Sequence, residues 1–219
     1  MNDIALNRKT IMETYDDKII SINIRSFRSH FEDLSNEPQI DNCDVLLVQQ
    51  TCLEKLETTE RFQLANYSSH FNSQGNGKGL ALYYKSKFRP VQDVTEEGFQ
   101  MSKLVSEDYD IISVYRSSDF NQVNQQRFTR ILINMVNINR KTIIFGDFNM
   151  NISSDKTSVL YKSMSISGFS QLIKEPTHIQ GGSIDHCYVS KNIMVNNVKL
   201  IQKPVYYTDH DILEVCYKK

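Results

Sequence analysis

The chain has 219 residues, of which 40% are hydrophobic and 23% are charged, and its formal net charge is −1. These figures predict one sizeable folded domain and exclude a strongly basic protein that binds nucleic acid indiscriminately. If DNA or RNA is the partner, binding must come from a local basic surface, a metal ion or other domains.

The N-terminus and the apolar runs bear on domain organisation and location. The N-terminus is polar and lacks the apolar stretch of a signal peptide, and the longest apolar runs are too short to span a bilayer. We divide the chain into a polar N-terminal segment, residues 1–17, which we expect to be partly disordered, and a single domain, residues 18–219. The four cysteines form no closely spaced pair, so neither a zinc site nor a disulfide framework is expected. We expect an intracellular protein with no membrane partner.

The apolar pattern of the first half of the chain predicts strands joined by helices. The elements, in chain order, are a strand at Lys18–Ile24, a helix at Phe27–Ile40, a strand at Asp44–Val48, a helix at Glu54–Leu64 and a strand at Leu80–Tyr84. A glycine-rich stretch, Gly75–Gly79, precedes the last of these strands. It has neither the spacing of a phosphate-binding loop nor a following helix, so we interpret it as a hairpin turn.

The second half continues with more strands and two helices. The strands are predicted at Phe88–Val94, Phe99–Val105, Asp110–Tyr115, Thr142–Phe145, Ile184–Val189, Val195–Leu200 and Ile212–Tyr217, and the helices at Asn124–Asn139 and Ser158–Ile166. No internal repeat or linker interrupts them. The pattern indicates one α/β domain with many short, largely antiparallel strands.

Polar side chains that are suited to phosphate chemistry follow several of these strands. Asp147 and Asn149 stand two residues apart after a buried strand, so their side chains would point to the same side. A carboxylate next to an amide can accept a proton from water and donate to a phosphate oxygen. The alternative is a turn cap at a strand end, a role that Asp and Asn often have.

A second pairing joins an imidazole to a carboxylate. His210 follows Asp209 directly, and Asp185 on another strand could hold His210 by a hydrogen bond and raise its pKa, which would keep it cationic against a phosphate. The alternative is a solvated or capping histidine.

Three further polar residues end other predicted strands. Asn23 and Gln50 would lie near Asp209 if the strand ends are neighbours. Mg²⁺ prefers oxygen ligands, and the Gln50 amide oxygen could coordinate it without bringing a charge. Tyr115 could donate a hydrogen bond to a phosphate oxygen, or could simply pack at the edge of the core.

Six segments of the chain form one series: Ile-Asn-Ile-Arg-Ser, Val-Gln-Gln-Thr, Ser-Val-Tyr-Arg, Gly-Asp-Phe-Asn, Ser-Ile-Asp-His and Thr-Asp-His. Taken together, they resemble the endonuclease/exonuclease/phosphatase family, which includes pancreatic-type deoxyribonuclease, abasic-site endonuclease and the target-nicking endonucleases of retrotransposons. The resemblance covers roughly residues 17–219 in family order. The segment Lys174–Gly182 resembles endonuclease domains of mobile elements, both retrotransposons and Helitron-like transposons.

The resemblance implies a four-layer α/β sandwich of the deoxyribonuclease type, with two mainly antiparallel sheets flanked by helices and the site at one sheet edge. It also implies a role for each site residue. Asp147 would orient or deprotonate the attacking water, and Asn149 and Asn23 would position phosphate and water. His210, steadied by Asp185, would stabilise charge on the phosphate, and Tyr115 would touch that phosphate. Gln50 and Asp209 would hold Mg²⁺ or alternatively Mn²⁺, and Arg25, Arg116 and Ser183 would contact the substrate.

Two positions depart from the family pattern. Gln50 stands where relatives carry the glutamate that anchors Mg²⁺, and Arg25 stands where some carry a second acidic residue. Loss of one such electrostatic contact often costs on the order of a hundredfold in rate. Gln50 is therefore either an engineered inactivating change or the mark of a naturally weakened enzyme.

Three functional hypotheses follow from the resemblance. The first is a Mg²⁺-dependent DNA endonuclease domain of a mobile element, which leaves a 3′-hydroxyl and acts in the nucleus or wherever its DNA target lies, with other domains or proteins of the same element as partners. The second is a catalytically silent module that binds nucleic acid or supports assembly. The third is a relative that acts on RNA or on phosphomonoesters.

Overall fold

Two six-stranded sheets form the centre of the molecule. The computed structural model describes residues 15–55, 57–75, 77–120, 124–152 and 158–218. The strands are β1 (Asp17–Asn23), β2 (Val45–Gln49), β3 (Ser68–Asn72), β4 (Leu80–Tyr84), β5 (Arg89–Glu96), β6 (Phe99–Val105), β7 (Tyr109–Arg116), β8 (Lys141–Asp147), β9 (Phe169–Gln171), β10 (Asp185–Ser190), β11 (Val198–Lys203) and β12 (Ile212–Tyr217).

The two sheets consist of different strands but have the same arrangement of parallel and antiparallel pairs. The first sheet runs β11-β12-β1-β2-β4-β3 and the second runs β5-β6-β7-β8-β10-β9. One parallel pair lies in the middle of each sheet, β1 with β2 and β7 with β8, and every other pairing is antiparallel. The expectation of two mainly antiparallel sheets is confirmed.

Among the residues that the structure describes, three α-helices cover the outer faces. They are α1 (Phe27–Ser35), α2 (Gln125–Met135) and α3 (Val159–Ile166), with short 3₁₀ helices at Glu60–Phe62 and Val195–Asn197. The hydroxyl of Ser158 caps α3 by accepting a hydrogen bond from the Tyr161 amide. None of the helices in the described ranges is long and apolar enough to cross a membrane.

Alternation along the strands produces three separate hydrophobic layers. Ile19 packs in one buried cluster with Ile111 and Ile143 of the opposite sheet, whereas the next residue, Ile20, packs in another cluster with Phe27 of α1. A third cluster joins the far face of the second sheet to α2 and α3. Successive side chains of a strand point to opposite faces, so this arrangement defines four layers, with α1 outside one sheet and α2 and α3 outside the other. The predicted four-layer sandwich is confirmed.

The helix predicted at Glu54–Leu64 is wrong, since only the 3₁₀ turn Glu60–Phe62 forms in its described part. The backbone of the preceding loop bonds to the glycine-rich turn instead. The Cys52 amide donates to the Lys78 carbonyl at 2.8 Å, and the Gly75 amide donates to the Leu53 carbonyl at 2.9 Å. These long-range bonds hold the backbone immediately before the predicted helix in a loop conformation.

The glycine-rich turn and two unpredicted strands complete the sheets. The turn joins β3 to β4 as a hairpin, and Gly75, Gly77 and Gly79 all adopt positive φ, as the turn interpretation requires. The sequence pattern does not predict β3 and β9. β3 is a polar edge strand and β9 has only three residues, so neither carries an apolar pattern. Of the predicted N-terminal segment, residues 1–14 lie outside the described residues.

Candidate active site

The polar residues that end the central strands meet at one edge of the sandwich. In the second sheet, Asp147 at the end of β8 lies opposite Tyr115 of β7 on one side and Asp185 of β10 on the other. In the first sheet, Asn23 of β1 lies opposite Gln49, so Gln50 follows directly at the same edge. Parallel strands bring their carboxyl ends together, which is why distant segments of the chain converge here.

A hydrogen-bonded bridge joins the two sheets at this edge. The Asn23 Nδ2 donates to Asp147 Oδ2 at 2.7 Å and to Gln50 Oε1 at 3.0 Å. The Thr208 hydroxyl donates to the Asn23 carbonyl at 2.9 Å. The network fixes the separation of the sheets at the point where the predicted catalytic groups lie.

Asp147 is buried and accepts hydrogen bonds from two groups of Asn149 besides Asn23. The Asn149 amide N–H lies 2.8 Å from Oδ1, and Asn149 Nδ2 lies 3.1 Å from Oδ2. Burial, with the nearby Asp185 carboxylate, raises the pKa of Asp147 to about 7. A carboxylate with this pKa can accept a proton from water near neutral pH.

His210 and Asp185 form a buried pair. The His210 Nδ1 lies 2.9 Å from Asp185 Oδ2, and because a carboxylate accepts, Nδ1 carries the proton in this contact. Burial opposes protonation of the imidazole, but Asp185, with Asp147 and Asp209 further away, outweighs it and raises the pKa of His210 to about 8. His210 is therefore cationic at neutral pH.

Asp209 is held by two basic side chains. Arg25 Nη1 donates to Asp209 Oδ2, and His178 Nε2 lies 3.1 Å from the same oxygen. Burial alone would raise the pKa of Asp209, but Arg25 and the neighbouring histidines hold it below its usual value. The other oxygen, Oδ1, is buried without a hydrogen-bond partner among the described residues and lies 3.8 Å from His210 Nε2.

His178 is a member of the site that the motifs alone do not identify. Its ring lies edge-on to that of His210, with centroids 4.8 Å apart, and the two residues form a β-bridge. The Gln180 amide donates to His178 Nδ1 at 3.1 Å, so the ring proton is on Nε2 and points to Asp209. A signal is present in the sequence, since His178 stands in the segment that resembles mobile-element endonucleases, five residues before Ser183.

These residues surround a cleft of about 270 Å³. It is lined by Arg25, Gln50, Tyr115, Ser118, Asp147, Asn149, His178, Gln180, Ile184, Asp209 and His210. A larger hollow of about 680 Å³ lies between the β4–β5 and β6–β7 connections and is lined by none of the predicted site residues. The cleft is therefore the candidate site despite its smaller volume.

The structure does not place Arg116 and Ser183 where the substrate-contact prediction requires. The Arg116 guanidinium is buried and donates to the Phe148 carbonyl at 2.8 Å and the Asn149 carbonyl at 3.0 Å. Ser183 is also buried and donates to the Glu175 carbonyl at 3.0 Å. Both side chains are used to fix loops. Tyr115 lines the cleft, but its hydroxyl donates to the Gly77 carbonyl at 3.1 Å.

Acidic and histidine side chains at the cleft form two groups that are close enough to hold a metal ion, but the position at Gln50 and Asp209 does not fit Mg²⁺. Ligand atoms lie within 4.8 Å of one another in the group of His178, Asp209 and His210 and in the group of Asp147, Asp185 and His210. Mg²⁺ is held through one or two carboxylates with waters and phosphate oxygens. Gln50 offers a neutral amide oxygen that already accepts from Asn23, and the charge of Asp209 is already balanced by Arg25. His178 Nε2 is already used as a hydrogen-bond donor to Asp209.

Comparisons with known proteins bear on the family and the fold of this chain. The family model described as Endonuclease/Exonuclease/phosphatase family matches residues 20–210. A search of curated protein sequences finds no significant match.

Several solved structures share the fold. The 3'-5' exonuclease NExo from Neisseria meningitidis has a TM-score of 0.74 and 17% sequence identity, with 92% of this chain and 100% of that one covered. An AP endonuclease from Archaeoglobus fulgidus has a TM-score of 0.71 and 17% identity, covering 91% and 98%. The endonuclease domain of TRAS1, a telomere-specific non-LTR retrotransposon, has a TM-score of 0.71 and 13% identity, covering 92% and 98%. At these identities the likeness shows the fold.

Proposed function

Because this chain belongs to the endonuclease/exonuclease/phosphatase family, we propose that it hydrolyses a phosphodiester bond of DNA as the endonuclease domain of a mobile element, leaving a 3′-hydroxyl. The observation that carries the proposal is the convergence of Asp147 and the Asp185–His210 pair on one cleft. The retrotransposon endonuclease domain and a NExo structure described as bound to product DNA hairpin are similar folds and support DNA as the substrate.

The proposed reaction uses groups of the chain itself. Asp147 takes the proton of the attacking water, and Asn149 holds the carboxylate in position. His210, protonated and fixed by Asp185, stabilises the charge that develops on the phosphate. As the water oxygen bonds to phosphorus, the bond between phosphorus and the 3′-oxygen breaks, and the leaving 3′-oxygen takes up a proton from solvent to become the 3′-hydroxyl. The Mg²⁺ or Mn²⁺ that the family resemblance implies would supply further charge stabilisation, but the donor set at Gln50 and Asp209 does not fit it, so no step is assigned to an ion.

A plasmid-nicking assay tests this function. The chain as it stands should convert supercoiled plasmid to the nicked form slowly, and Asp147→Asn should lower that rate about a hundredfold or more because the proton acceptor is lost. A polymerase should extend the nicks directly if they carry a 3′-hydroxyl. Asp93→Asn is the matched control, because Asp93 pairs with His70 and does not line the cleft. Equal nicking by Asp147→Asn would rule out the proposed site.

The second candidate is a catalytically silent nucleic-acid-binding module. Gln50 and the Arg25–Asp209 pair favour it, since both remove negative charge from the place where a metal ion would act. In that case the chain would bind DNA without nicking it, and Asp147→Asn would leave the affinity unchanged.

A third candidate acts on RNA or on a terminal phosphate. One NExo structure is described as a 3' phosphatase, and it covers 93% of this chain at 16% identity with a TM-score of 0.72. Rates on duplex DNA, single-stranded RNA and a 3′-phosphorylated oligonucleotide separate this candidate from the first. The endonuclease proposal requires duplex DNA to be the best of the three.

A further inference from the structure

We infer that Arg25 is a resident cation of this cleft: it takes the place that a divalent metal would have at Asp209, and it binds the phosphate of the nucleic acid directly. The inference rests on the proposed function for its ligand, a phosphodiester. The inference concerns whether the positive charge at the site is the Arg25 guanidinium or a divalent metal ion. It can be tested whether or not the chain cleaves DNA.

The first observation is the contact between Arg25 and Asp209. These residues are 184 positions apart, and the Arg25 guanidinium reaches from the loop after β1 to the loop before β12. His178 donates to the same carboxylate oxygen at 3.1 Å. One carboxylate oxygen is therefore occupied by two basic donors, and a metal ion at that oxygen would have to displace a guanidinium that stays charged at every accessible pH. The other oxygen, Oδ1, lies 3.8 Å from the imidazole of His210.

The second observation is the charge of the groups around this pair. The neighbouring position that would add a carboxylate to a metal site is Gln50, which is neutral. Its Oε1 accepts a hydrogen bond from Asn23 Nδ2, the amide that also donates to Asp147. Asp209 and Arg25 carry opposite unit charges, so the pair has no net charge to offer a divalent ion.

The third observation is that the backbone holds Arg25 in this place. Arg25 has a φ of 61°, in the left-handed region that non-glycine residues rarely adopt. The Asn23 side chain accepts a hydrogen bond from the Arg25 amide at 2.9 Å, and the Cys52 thiol donates to the Arg25 carbonyl at 3.0 Å. Gln50 and Cys52 also have positive φ. Such conformations persist only where the surroundings fix them, so both loops hold the Arg25 backbone at the edge of the cleft.

The chemistry of the guanidinium suits a phosphate ligand. An arginine side chain has five N–H donors, and Arg25 uses one of its terminal nitrogens for Asp209 among the described residues. The side chain is 50% exposed and lines the cleft with Tyr115 and His210. A guanidinium with free donors in such a cleft can bind two phosphate oxygens at once. It can therefore make the contact with the phosphate that a metal ion would otherwise make.

A titration with Mn²⁺, followed by the electron paramagnetic resonance signal of the free ion, tests the metal half of the inference. The unmodified chain and Gln50→Glu should leave the free Mn²⁺ signal as in buffer. The double variant Gln50→Glu with Arg25→Asn should take up one ion, since it exposes Asp209 and adds a carboxylate. Stoichiometric uptake by the unmodified chain would overturn the inference, and so would failure of a folded double variant to bind.

Anisotropy of a labelled DNA hairpin tests the phosphate half. The affinity of the unmodified chain should be the same with EDTA as with Mg²⁺, and Arg25→Gln should weaken it about tenfold, since one charge-assisted contact is lost. Arg127→Gln is the matched control, because Arg127 is similarly exposed, pairs with the single carboxylate of Glu96 and does not line the cleft. Loss of binding in EDTA, or an equal effect of both substitutions, would overturn the inference.

The two proposals fail in different ways. If no variant nicks DNA but the titrations come out as expected, the endonuclease function is wrong and the role of Arg25 stands. If the unmodified chain nicks DNA only with Mg²⁺ and takes up Mn²⁺, the endonuclease function stands and the role of Arg25 is wrong. If the double variant does not fold, the unmodified chain still decides through its own Mn²⁺ uptake.

Discussion

At the scale of single residues, the charge of His210 depends on one carboxylate. Burial favours the neutral imidazole, and Asp185 at 2.9 Å reverses this preference, so that the pKa of His210 is raised to about 8. A raised pKa means that the pair stabilises the folded state fully below about pH 6.5, and that this contribution is lost as the pH rises through about 8. The same pair keeps a cation next to the cleft at neutral pH.

Asp185→Asn should lower the pKa of His210, because burial is then opposed only by the more distant carboxylates. Long-range ¹H–¹⁵N NMR spectra recorded across the pH range measure this pKa. The nicking rate at pH 7 should fall about tenfold as the imidazole loses its charge.

Asp211→Asn is the control for this prediction. Asp211 follows His210 directly, but its carboxylate accepts from Gln202 Nε2 at 2.7 Å and does not contact the imidazole. A His210 pKa that stays near 8 in the Asp185→Asn variant would show that Asp185 does not set the charge.

At the scale of elements, the position of Asp147 depends on how closely β8 approaches β7. Gly146 precedes Asp147 and lies opposite Val114 in the parallel pair. Its φ is +143°, and a Cβ placed there would lie 1.9 Å from the Val114 carbonyl oxygen. Glycine is required at this position because any side chain would push the two strands apart at the site.

Gly146→Ala should therefore destabilise the protein by about 3–5 kcal/mol, the range of severe backbone clashes, and should abolish nicking. Gly181→Ala is the control, since Gly181 also has positive φ but no atom lies within 4 Å of the position that a methyl group would take there. It should cost only about 1–2 kcal/mol from backbone strain. Urea unfolding of both variants measures the difference, and equal losses would mean that the close approach of β7 and β8 is not what requires glycine.

The elements also show which structure could be predicted from local pattern. The strands β1, β2, β7 and β8 are rich in apolar and β-branched residues, so the sequence predicts them and the polar residues that follow them. The loop after β2 has an apolar spacing that is compatible with a helix, which is why the pattern predicts one there. Its backbone partners, Lys78 and Gly75, lie on another hairpin, and no local pattern reveals such long-range bonds.

At the scale of the whole molecule, the same distinction separates the predicted site residues that sheet register brings to one edge from those whose contacts arise between loops. Asp147, Asp185 and Tyr115 lie in strands, so sheet register alone brings them together. The partners of Arg116 are carbonyl groups on the loop after β8, and Arg25 and Asp209 meet through two loops. Such contacts exist only once both sheets are assembled, and a strand pattern does not predict them.

Assembly of the second sheet leaves His186 with no access to water. It is stacked on Phe148 with ring centroids 4.5 Å apart, and its Nε2 lies 2.7 Å from the Met150 carbonyl. This histidine joins β10 to the segment after β8. Burial lowers the pKa of His186 to about 4, so the folded protein keeps it neutral where an unfolded chain would protonate it.

His186 should make a contribution to stability that is lost in mild acid, while the raised pKa values of Asp147 and His210 act in the opposite direction. Between about pH 6.5 and about pH 4 the unfolded chain binds a proton at His186 that the folded chain does not, so up to about 3 kcal/mol of this contribution is lost as the pH falls through this range. Urea unfolding of the unmodified chain and of His186→Gln at about pH 7.5 and about pH 5 isolates the contribution. His186→Gln should lower stability at both pH values, but its stability should change more favourably on going to about pH 5 than that of the unmodified chain. Phe148→Leu removes the ring stack but keeps the imidazole, so its change in stability with pH should match that of the unmodified chain; if it does not, packing and not protonation sets the acid sensitivity.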